Sequence, residues 1–329
     1  MASRHLRHFA GLAIVLSLAL ATPSIAPTET EIETMEPGVL TACLPRNSGV
    51  IAGTREAGGS GFDYHLIKEI ASRMSLAFSP VWFEGELEEQ SDPLRDTYAM
   101  LSLPLCDVVP GHPRYVRAVG APGYDRARMP RWVGMPQEID QSTSFLKDVQ
   151  TEFVDVRPLA VSHGYMRSTI GLVYLDGTTE PEGLNDLQDR PLAFQQGTLS
   201  GAIAMASLPP HDRKQARHFN PGASFLWQAE IEGMQLAIVD VAAFDNYRQS
   251  NAITRLKLAE WRHPFGMDIG IAVLEERKEL LKSLNDILDG MADERWLQTL
   301  ASSEGLTYSP PADTELAQEI TMRDLLTSP

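Results

Sequence analysis

The sequence predicts an α/β protein whose strands are mostly parallel. Short apolar runs of strand character alternate with segments of helical periodicity along most of the chain, and this alternation favours helices packed on a parallel sheet. With 329 residues the chain is long enough for two domains, since a domain usually has ~100–200 residues. Hydrophobic residues make up 43% of the chain and charged residues 22%, proportions that are typical of a globular fold.

The first 21 residues are predicted to be a secretory signal peptide. Arg4 and Arg7 precede an apolar run at 11–20, and the small residues Ala19 and Ala21 offer a cleavage site. The run is shorter than the ~20 apolar residues that a membrane-spanning helix needs. We therefore expect an exported, periplasmic protein whose mature chain begins with an acidic linker at 22–38.

The predicted elements of the first half are read from the period of the apolar residues. They are strands at 39–44, 76–83 and 106–109, with helices at 62–74 and 92–101. The first of these helices places Phe62, Leu66, Ile70 and Met74 on one face. Residues 112–156 contain several prolines and are predicted to form an irregular insertion.

The regular alternation returns in the second half. Strands are predicted at 169–175, 191–195, 236–241 and 269–273, and helices at 199–207 and within the amphipathic region 275–302. The tail after Tyr308 contains Pro310 and Pro311, and we expect it to be mobile or loosely docked.

Two cysteines, Cys43 and Cys106, both lie in strand-like apolar runs. An exported protein enters an oxidising compartment, and neighbouring strands would bring the two sulfur atoms together. A disulfide closing so long a loop would contribute on the order of 4 kcal/mol in the chain-entropy model. Two free buried thiols are the alternative, and a catalytic thiol is not expected because no histidine lies in a recognisable partner motif.

The negative charge of the chain disfavours two classes of function. Lys and Arg total 28 against 44 Asp and Glu, a net charge of −16, which disfavours a general nucleic-acid binder and attachment to anionic lipid by charge. Enzyme signatures such as a nucleophile elbow, a phosphate loop or a dinucleotide fingerprint are missing from the sequence. Its eight histidines are scattered, so we expect no metal site, no cofactor and no catalytic residue.

Five short motifs follow one another in a characteristic order. They are Gly61-Phe62-Asp63, Cys106-Asp-Val-Val109, Gln195-Gln-Gly-Thr198, Leu236-Ala-Ile-Val-Asp240 and Met267-Asp-Ile-Gly-Ile-Ala-Val273. In this order they resemble the periplasmic solute-binding proteins of family 3, the amino-acid-binding type. The resemblance implies a two-lobed fold of type II with two crossover hinge strands, near 168–173 and 264–270. Lobe 1 would then comprise 39–168 with 269–309, lobe 2 would comprise 169–268, and 310–329 would be a C-terminal extension.

Three segments resemble a narrower branch. Cys43, Leu105-Cys-Asp-Val-Val-x-Gly-x-Pro113 and Gly164-Tyr-Met-Arg-Ser-Thr169 are similar to the J-type proteins (MxaJ/XoxJ) of quinoprotein methanol dehydrogenase systems. That branch implies a non-enzymatic periplasmic accessory protein that activates or matures a PQQ-dependent alcohol dehydrogenase through protein–protein contact. Its partners would be the dehydrogenase and its cytochrome c. The alternative is a receptor of an ABC transporter for a small polar or cationic solute.

The fold that this resemblance implies holds its ligands at the carboxyl ends of strands. Gly197, Thr198 and Ser200 lie at the start of a predicted helix. Its backbone N–H groups either bind an anion or are satisfied by Thr198 or Ser200 as an ordinary N-cap. Asp240 ends a strand where the family often places an acid for a ligand amine, and a capping role is the alternative. The other predicted cleft residues are Arg46, Asn47, Gly111, Arg114, Arg117 and Arg167.

Two departures from the family pattern disfavour transport of an α-amino acid. No aromatic residue follows the first strand at 45–49, and the arginines Arg114 and Arg117 are spaced unlike the bidentate carboxylate clamp; a solvated or interface role is their alternative. The insertion carries aromatic and arginine residues of the kind found in protein-binding hot spots, although local packing would also explain them. The predicted interface residues are Tyr115, Tyr124, Arg131 and Trp132.

Overall fold

A computed structural model describes residues 32–46, 48–53, 59–84, 93–130, 132–134, 153–214, 216–220, 225–312, 315–318 and 321–326. The predicted signal peptide and the first part of the acidic linker lie outside the described residues, as do Asn47 and Arg131. Within the described ranges, none of the helices is long and apolar enough to cross a membrane.

Strands and helices alternate through most of the described chain. The strands are β1 Val39–Pro45, β2 Ala77–Glu84, β3 Val109–Pro113, β4 Arg126–Arg128, β5 Trp132–Gly134, β6 Phe153–Asp155, β7 Leu159–Val161, β8 Met166–Leu175, β9 Leu192–Gln195, β10 Arg217–Phe219, β11 Leu236–Asp240 and β12 Leu256–Leu274. The helices are α1 Phe62–Arg73, α2 Pro93–Ser102, α3 Leu199–Ser207, α4 Phe225–Ile231, α5 Val241–Ser250, α6 Lys278–Asp293, α7 Trp296–Ser303 and α8 Met322–Leu326. This order confirms the α/β class.

Parallel and antiparallel pairs are mixed in the sheets. Strand β1 is parallel to β2, and β9 is parallel to both β10 and β11. The pairs around β8 and β12 are antiparallel. The expectation of mostly parallel strands was therefore wrong, because the chain crosses between the halves twice in opposite directions and the two crossing strands pair with each other.

The crossover strands β8 and β12 connect the two halves in one hydrogen-bonded sheet. Its strand order is β10-β9-β11-β8-β12-β3, with β7 also paired to β12. Strand β12 has 19 residues and is far longer than the strand predicted at 269–273. Its register with β8 shifts on both sides of Arg262, next to Pro264, which has no N–H to donate to the ladder. Because proline is rare inside strands, the sequence does not predict a strand across this position.

Each half has hydrophobic clusters of its own. The core of the first half contains Leu40 and Phe62, together with Ile271 from the C-terminal end of β12. The core of the second half contains Leu172, Ile203 and Ile238. Helix α1 buries Phe62, Leu66 and Ile70 on one face, as its apolar spacing predicts. The division of the chain at 168/169 remains a prediction, because the sheet itself continues across that point.

Parts of the predicted insertion are regular. Strand β4 pairs antiparallel with β6, and β5 pairs with β2. Strand β3 also extends into it as far as Pro113. These strands were not predicted, because each is short and its partner lies far away in the sequence.

The described residues of the C-terminal tail are docked rather than loose. The carbonyl of Ser309 accepts a hydrogen bond from the N–H of Arg167, and Ala317 forms a bridge with Tyr115 in the first half. Leu325 is 7% exposed and joins the second-half cluster that contains Ile203. Apolar burial of this leucine was not apparent from the proline-rich start of the tail.

Cys43 and Cys106 form a disulfide, which confirms the predicted pairing. Cys43 lies in β1, and its N–H donates to the carbonyl of Val108, 3.0 Å away. The disulfide therefore fastens β1 to the segment that leads into β3, in the core of the first half.

Removal of this disulfide should lower the stability of the protein. The loop that it closes spans 63 positions, and the chain-entropy model gives about 4 kcal/mol for a loop of this length. We expect the urea midpoint of the Cys43→Ser, Cys106→Ser variant to fall well below that of the oxidised protein and to be insensitive to a reducing agent. Equal midpoints for the variant and the oxidised wild type would contradict this.

Candidate functional site

A cavity of about 210 Å³ lies in the second half, beside the crossover strands. It is formed at the carboxyl ends of β9 and β11, by the first residues of α3 and α5, and by β8 and β12. The polar groups along its wall include Ser168, Gln195, Thr198, Ser200 and Asp240, and Gly266 forms part of the wall. This is the edge of the sheet at which ligands bind in open α/β folds.

Asp240 is both a helix cap and part of the cavity wall. Its Oδ1 accepts a hydrogen bond of 2.9 Å from the N–H of Ala242, so it caps α5. Its Oδ2 accepts a hydrogen bond of 2.5 Å from the hydroxyl of Ser168 in the crossover strand β8. Burial raises the pKa of Asp240, and these hydrogen bonds oppose that shift. The two roles considered for Asp240 are therefore compatible in one side chain.

Thr198 and Ser200 shape the opposite wall. Thr198 Oγ1 accepts from the N–H of Gly201 at 3.1 Å and so caps α3, while it donates to the carbonyl of Gln195 at 2.8 Å. Its hydroxyl also lies 2.9 Å from Ser200 Oγ. A Cβ on Gly201 would lie 2.2 Å from the carbonyl oxygen of Gln195, so glycine is required for α3 to start this close to β9.

Two of the predicted residues lie at the margin of the cavity. Gly197 adopts a positive φ of 75° before α3 but is not part of the cavity lining. Arg167 pairs with Asp268, with 2.8 Å between Nη1 and Oδ1, and its Nε would lie 2.6 Å from a Cβ added to Gly266. The guanidinium group of Arg167 therefore lies against Gly266 of the cavity wall and forms an ion pair with Asp268.

The predicted cleft arginines of the first half do not line this cavity. Arg46 pairs with Glu84 at 3.5 Å, and Arg117 is exposed on the short turn Val116–Ala118. Arg114 is 4% exposed, and its Nε donates to the carbonyl of Ser162 at 2.9 Å. Its backbone pairs with Asp268 and Ala317, which directs the side chain into the protein. The expectation of a cleft or solvated role for Arg114 is thus corrected.

Gly111 belongs to a buried chain of hydrogen bonds instead. Its N–H donates to the Tyr165 hydroxyl at 2.7 Å, and that hydroxyl donates to Asp63 Oδ1 at 2.8 Å. Asp63 is 1% exposed, and burial raises its pKa from 3.8 to about 7, against the effect of the Tyr165 hydrogen bond. From the sequence, Asp63 was identified only as part of the Gly61-Phe62-Asp63 motif. Its position beside the apolar face of the predicted helix could have indicated a buried charged residue.

The predicted interface residues that the structure describes are engaged within the chain. Tyr115 forms its bridge with Ala317 of the tail. The ring of Tyr124 packs edge-on against Tyr98, with centroids 5.9 Å apart, and Arg95 lies over it at 4.8 Å. Trp132 lies in β5, paired with Glu84, and Arg131 lies outside the described residues. Local packing is therefore the role that fits Tyr124.

A second, wider depression of about 730 Å³ lies on the surface of the second half. The loops between 177 and 190 form most of it, and its lining is largely polar. It is open to solvent and lacks the strand ends and capped helices that surround the smaller cavity, so we take the smaller cavity as the candidate site.

Comparison with solved structures defines the fold. The probable amino-acid ABC transporter extracellular-binding protein ytmK from Bacillus subtilis is similar over 80% of this chain and 97% of its own, with a TM-score of 0.54 and 12% identity. A histidine kinase sensor domain with similarity to periplasmic binding proteins is similar over 83% of this chain and 98% of its own, with a TM-score of 0.51 and 13% identity. An ancestral cationic amino acid solute binding protein is similar over 81% of this chain and 95% of its own, with a TM-score of 0.51 and 16% identity. The chain therefore has a periplasmic-binding-protein-like fold.

Sequence comparison adds no closer relative. No protein-family model matches the chain, and no curated protein matches it. At the identities found, the structural likeness describes the architecture, and the function has to be argued from the site itself.

The buried Asp63 should make stability depend on pH in an unusual direction. Its pKa of about 7 in the folded state lies above the ordinary 3.8, so the folded protein keeps a proton that the unfolded chain releases between about pH 4 and 7. Its contribution is fully present below about pH 4 and is lost as the pH rises to 7, with a slope of at most about 1.4 kcal/mol per pH unit.

The variant Asp63→Asn removes this slope while keeping an oxygen that accepts the Tyr165 hydrogen bond. We expect urea unfolding of the wild type to lose more stability than the variant between pH 4 and 7. Asp176→Asn is the control, because Asp176 is paired with Lys257 at the surface, where its pKa is lowered. Parallel curves for the wild type and the Asp63 variant would refute the assignment.

Proposed function

We propose that this protein is a non-enzymatic, exported binding protein that holds a small polar or cationic solute in the cavity beside the crossover strands. One observation supports this most directly: the cavity combines a half-buried acid, Asp240, with hydroxyl groups of Ser168, Thr198 and Ser200, and no lysine or arginine is among the described residues that line it. A ligand with an amino group matches that set of groups.

The charge balance of the cavity selects against a free carboxylate. Burial is the largest influence on the pKa of Asp240, and within the described residues its hydrogen bonds come from Ser168 and the backbone. An ionised carboxylate offers about four acceptor sites, and Ser168 with the backbone N–H groups of Ala242 and Ala243 uses three of them. A ligand ammonium group would occupy another and would favour the charged form of Asp240. A ligand carboxylate would instead meet a like charge.

The size of the cavity limits the ligand to a small molecule. Its volume of about 210 Å³ is below the ~300–1,000 Å³ of pockets that hold drug-sized ligands. The first turn of α3 presents the positive end of a helix dipole, which suits a hydroxyl or carbonyl oxygen of the ligand. We therefore propose a small amine that also carries a polar oxygen and lacks the α-carboxylate of an amino acid.

A paired ligand screen tests this proposal. Small amines such as ethanolamine should raise the melting temperature of the wild type increasingly with concentration, whereas size-matched carboxylates such as glycolate should not. Asp240→Asn should abolish the amine effect, and it should still fold because asparagine caps helices as well as aspartate does. Asp176→Asn should respond like the wild type.

Two results would overturn the proposal. One is stabilisation by carboxylates with no response to any amine in the series. The other is an undiminished response to the amine in Asp240→Asn, which would place the ligand elsewhere.

Support for a dehydrogenase accessory protein is narrower. The observation in its favour is that Cys43 and Cys106, from the segments that resemble the J-type proteins, are bonded to each other. None of the structural neighbours named above is such a protein, and the predicted interface residues that the structure describes make contacts within the chain. Co-purification with a PQQ-dependent dehydrogenase and its cytochrome c, without stabilisation by any small amine, would favour this second candidate.

A further inference from the structure

Asp189, His211 and Asp212 come together on the second half of the protein, away from the cavity. Each offers one ligand atom, and these atoms all lie within 4.8 Å of one another. Asp189 precedes β9, whereas His211 and Asp212 follow α3 at the start of the turn Asp212–Lys214. The two segments are brought together because α3 packs against β9.

Asp212 is the unusual member of this cluster. It is 3% exposed, and neither of its carboxylate oxygens has a hydrogen-bond partner among the described residues. A buried carboxylate without a partner is costly. The ion-pair contact that the described residues show for Asp212 is with His211, whose Nε2 lies 3.3 Å from Oδ1. When that imidazole is neutral, as a metal ligand must be, the charge of Asp212 is left for a bound cation.

The spacing of two of the ligand atoms suits a tetrahedral metal ion. His211 Nε2 lies 3.3 Å from Asp212 Oδ1 without forming a hydrogen bond to it. With metal–ligand distances of ~2.0–2.2 Å, two ligands of a tetrahedral zinc ion lie about 3.3–3.6 Å apart. An imidazole beside two carboxylates is a ligand set for a first-row divalent metal, whereas calcium and magnesium prefer oxygen ligands alone.

We propose that Asp189, His211 and Asp212 bind a divalent transition-metal ion of the zinc type, with water completing the coordination on the exposed side of Asp189 and His211. This revises the expectation of no metal site. Two of the three ligands are adjacent in the sequence and the third is distant, so no spacing motif indicates the site. Only the packing of α3 on β9 brings them together.

Such an ion would fasten the segment before β9 to the segment after α3. The cavity lies at the other ends of these elements, since β9 ends at Gln195 and α3 begins at Leu199. The nine residues of α3 extend ~13 Å at 1.5 Å per residue, so the metal would hold the wall of the cavity from a distance. Its role is structural and does not depend on which solute the cavity binds.

Zinc titration of the protein tests the site. The protein is expressed from the full-length gene, purified without a polyhistidine tag, treated with a chelator and then titrated with ZnCl₂ in a calorimeter and in thermal unfolding. We expect one Zn²⁺ per chain and a higher melting temperature with zinc. His211→Ala and Asp212→Asn should each lower the affinity by at least the ~10–100-fold that loss of a supporting residue costs a metal site.

The pair of variants and a matched control keep the test decisive. Asp212→Asn should be at least as stable as the wild type without metal, because it removes a buried charge whose oxygens accept no hydrogen bond among the described residues. His211 is 72% exposed at its side chain, so its loss should not affect folding. His163→Ala is the control, since His163 pairs with Asp289 at 2.9 Å outside any such three-residue cluster in the described chain. It should bind zinc as the wild type does.

The proposal is overturned by three results. These are the lack of a zinc-dependent shift in the wild type, zinc binding that persists in both cluster variants, and equal responses to Ca²⁺, Mg²⁺ and Zn²⁺. None of them affects the response to amines at Asp240, so the two proposals fail independently.

Discussion

The antiparallel pairing of β8 with β12 is the constraint on which the rest of the structure depends. Its register runs from Leu256 opposite Leu175 to Ile269 opposite Met166, so the same two strands belong to both halves. This pairing places Ser168 and Gly266 in the wall of the cavity, opposite the end of β11. The candidate site therefore lies on the second half, with the crossover strands forming part of its wall.

Buried acids that join distant segments are a recurring feature of this strongly acidic chain. Asp107 accepts hydrogen bonds from the N–H groups of Met35 and Thr41, and Asp245 accepts them from Thr307. Burial raises the pKa of both. Asp245 also pairs with Arg248, whose Nη2 lies 3.2 Å from its Oδ1. Asp240 differs from these two acids because it lines a cavity and accepts its described hydrogen bonds from Ser168 and the backbone, and this difference underlies the proposal of a cationic ligand.

Local signals in the sequence were sufficient for part of this structure. The apolar face of α1, the strand that ends at Asp240 and the capping role of Thr198 all depend on neighbouring residues, and all are present. The disulfide between Cys43 and Cys106 could be predicted because each cysteine lies in a strand-like run. The candidate cavity residues Thr198, Ser200 and Asp240 follow from strand ends and helix starts, which periodicity and capping residues reveal.

Features that depend on contacts between distant residues could not be predicted. The burial of Arg114 is set by backbone pairing with Asp268 and Ala317, and the docking of the tail is set by the contact of Leu325 with the second-half core. The full length of β12 is obscured by Pro264. In each case the deciding partner lies more than 100 positions away or the segment violates its own propensity. No window of sequence contains that information.

A crystal structure of the protein with a small amine that stabilises it would show whether Asp240 binds the ligand. We predict density for the ligand between α3 and α5, with its nitrogen within hydrogen-bonding distance, ~2.7–3.2 Å, of a carboxylate oxygen of Asp240. Ligand density at another surface, or a carboxylate group bound at the start of α3 with Asp240 turned away from it, would contradict the binding of an amine by Asp240.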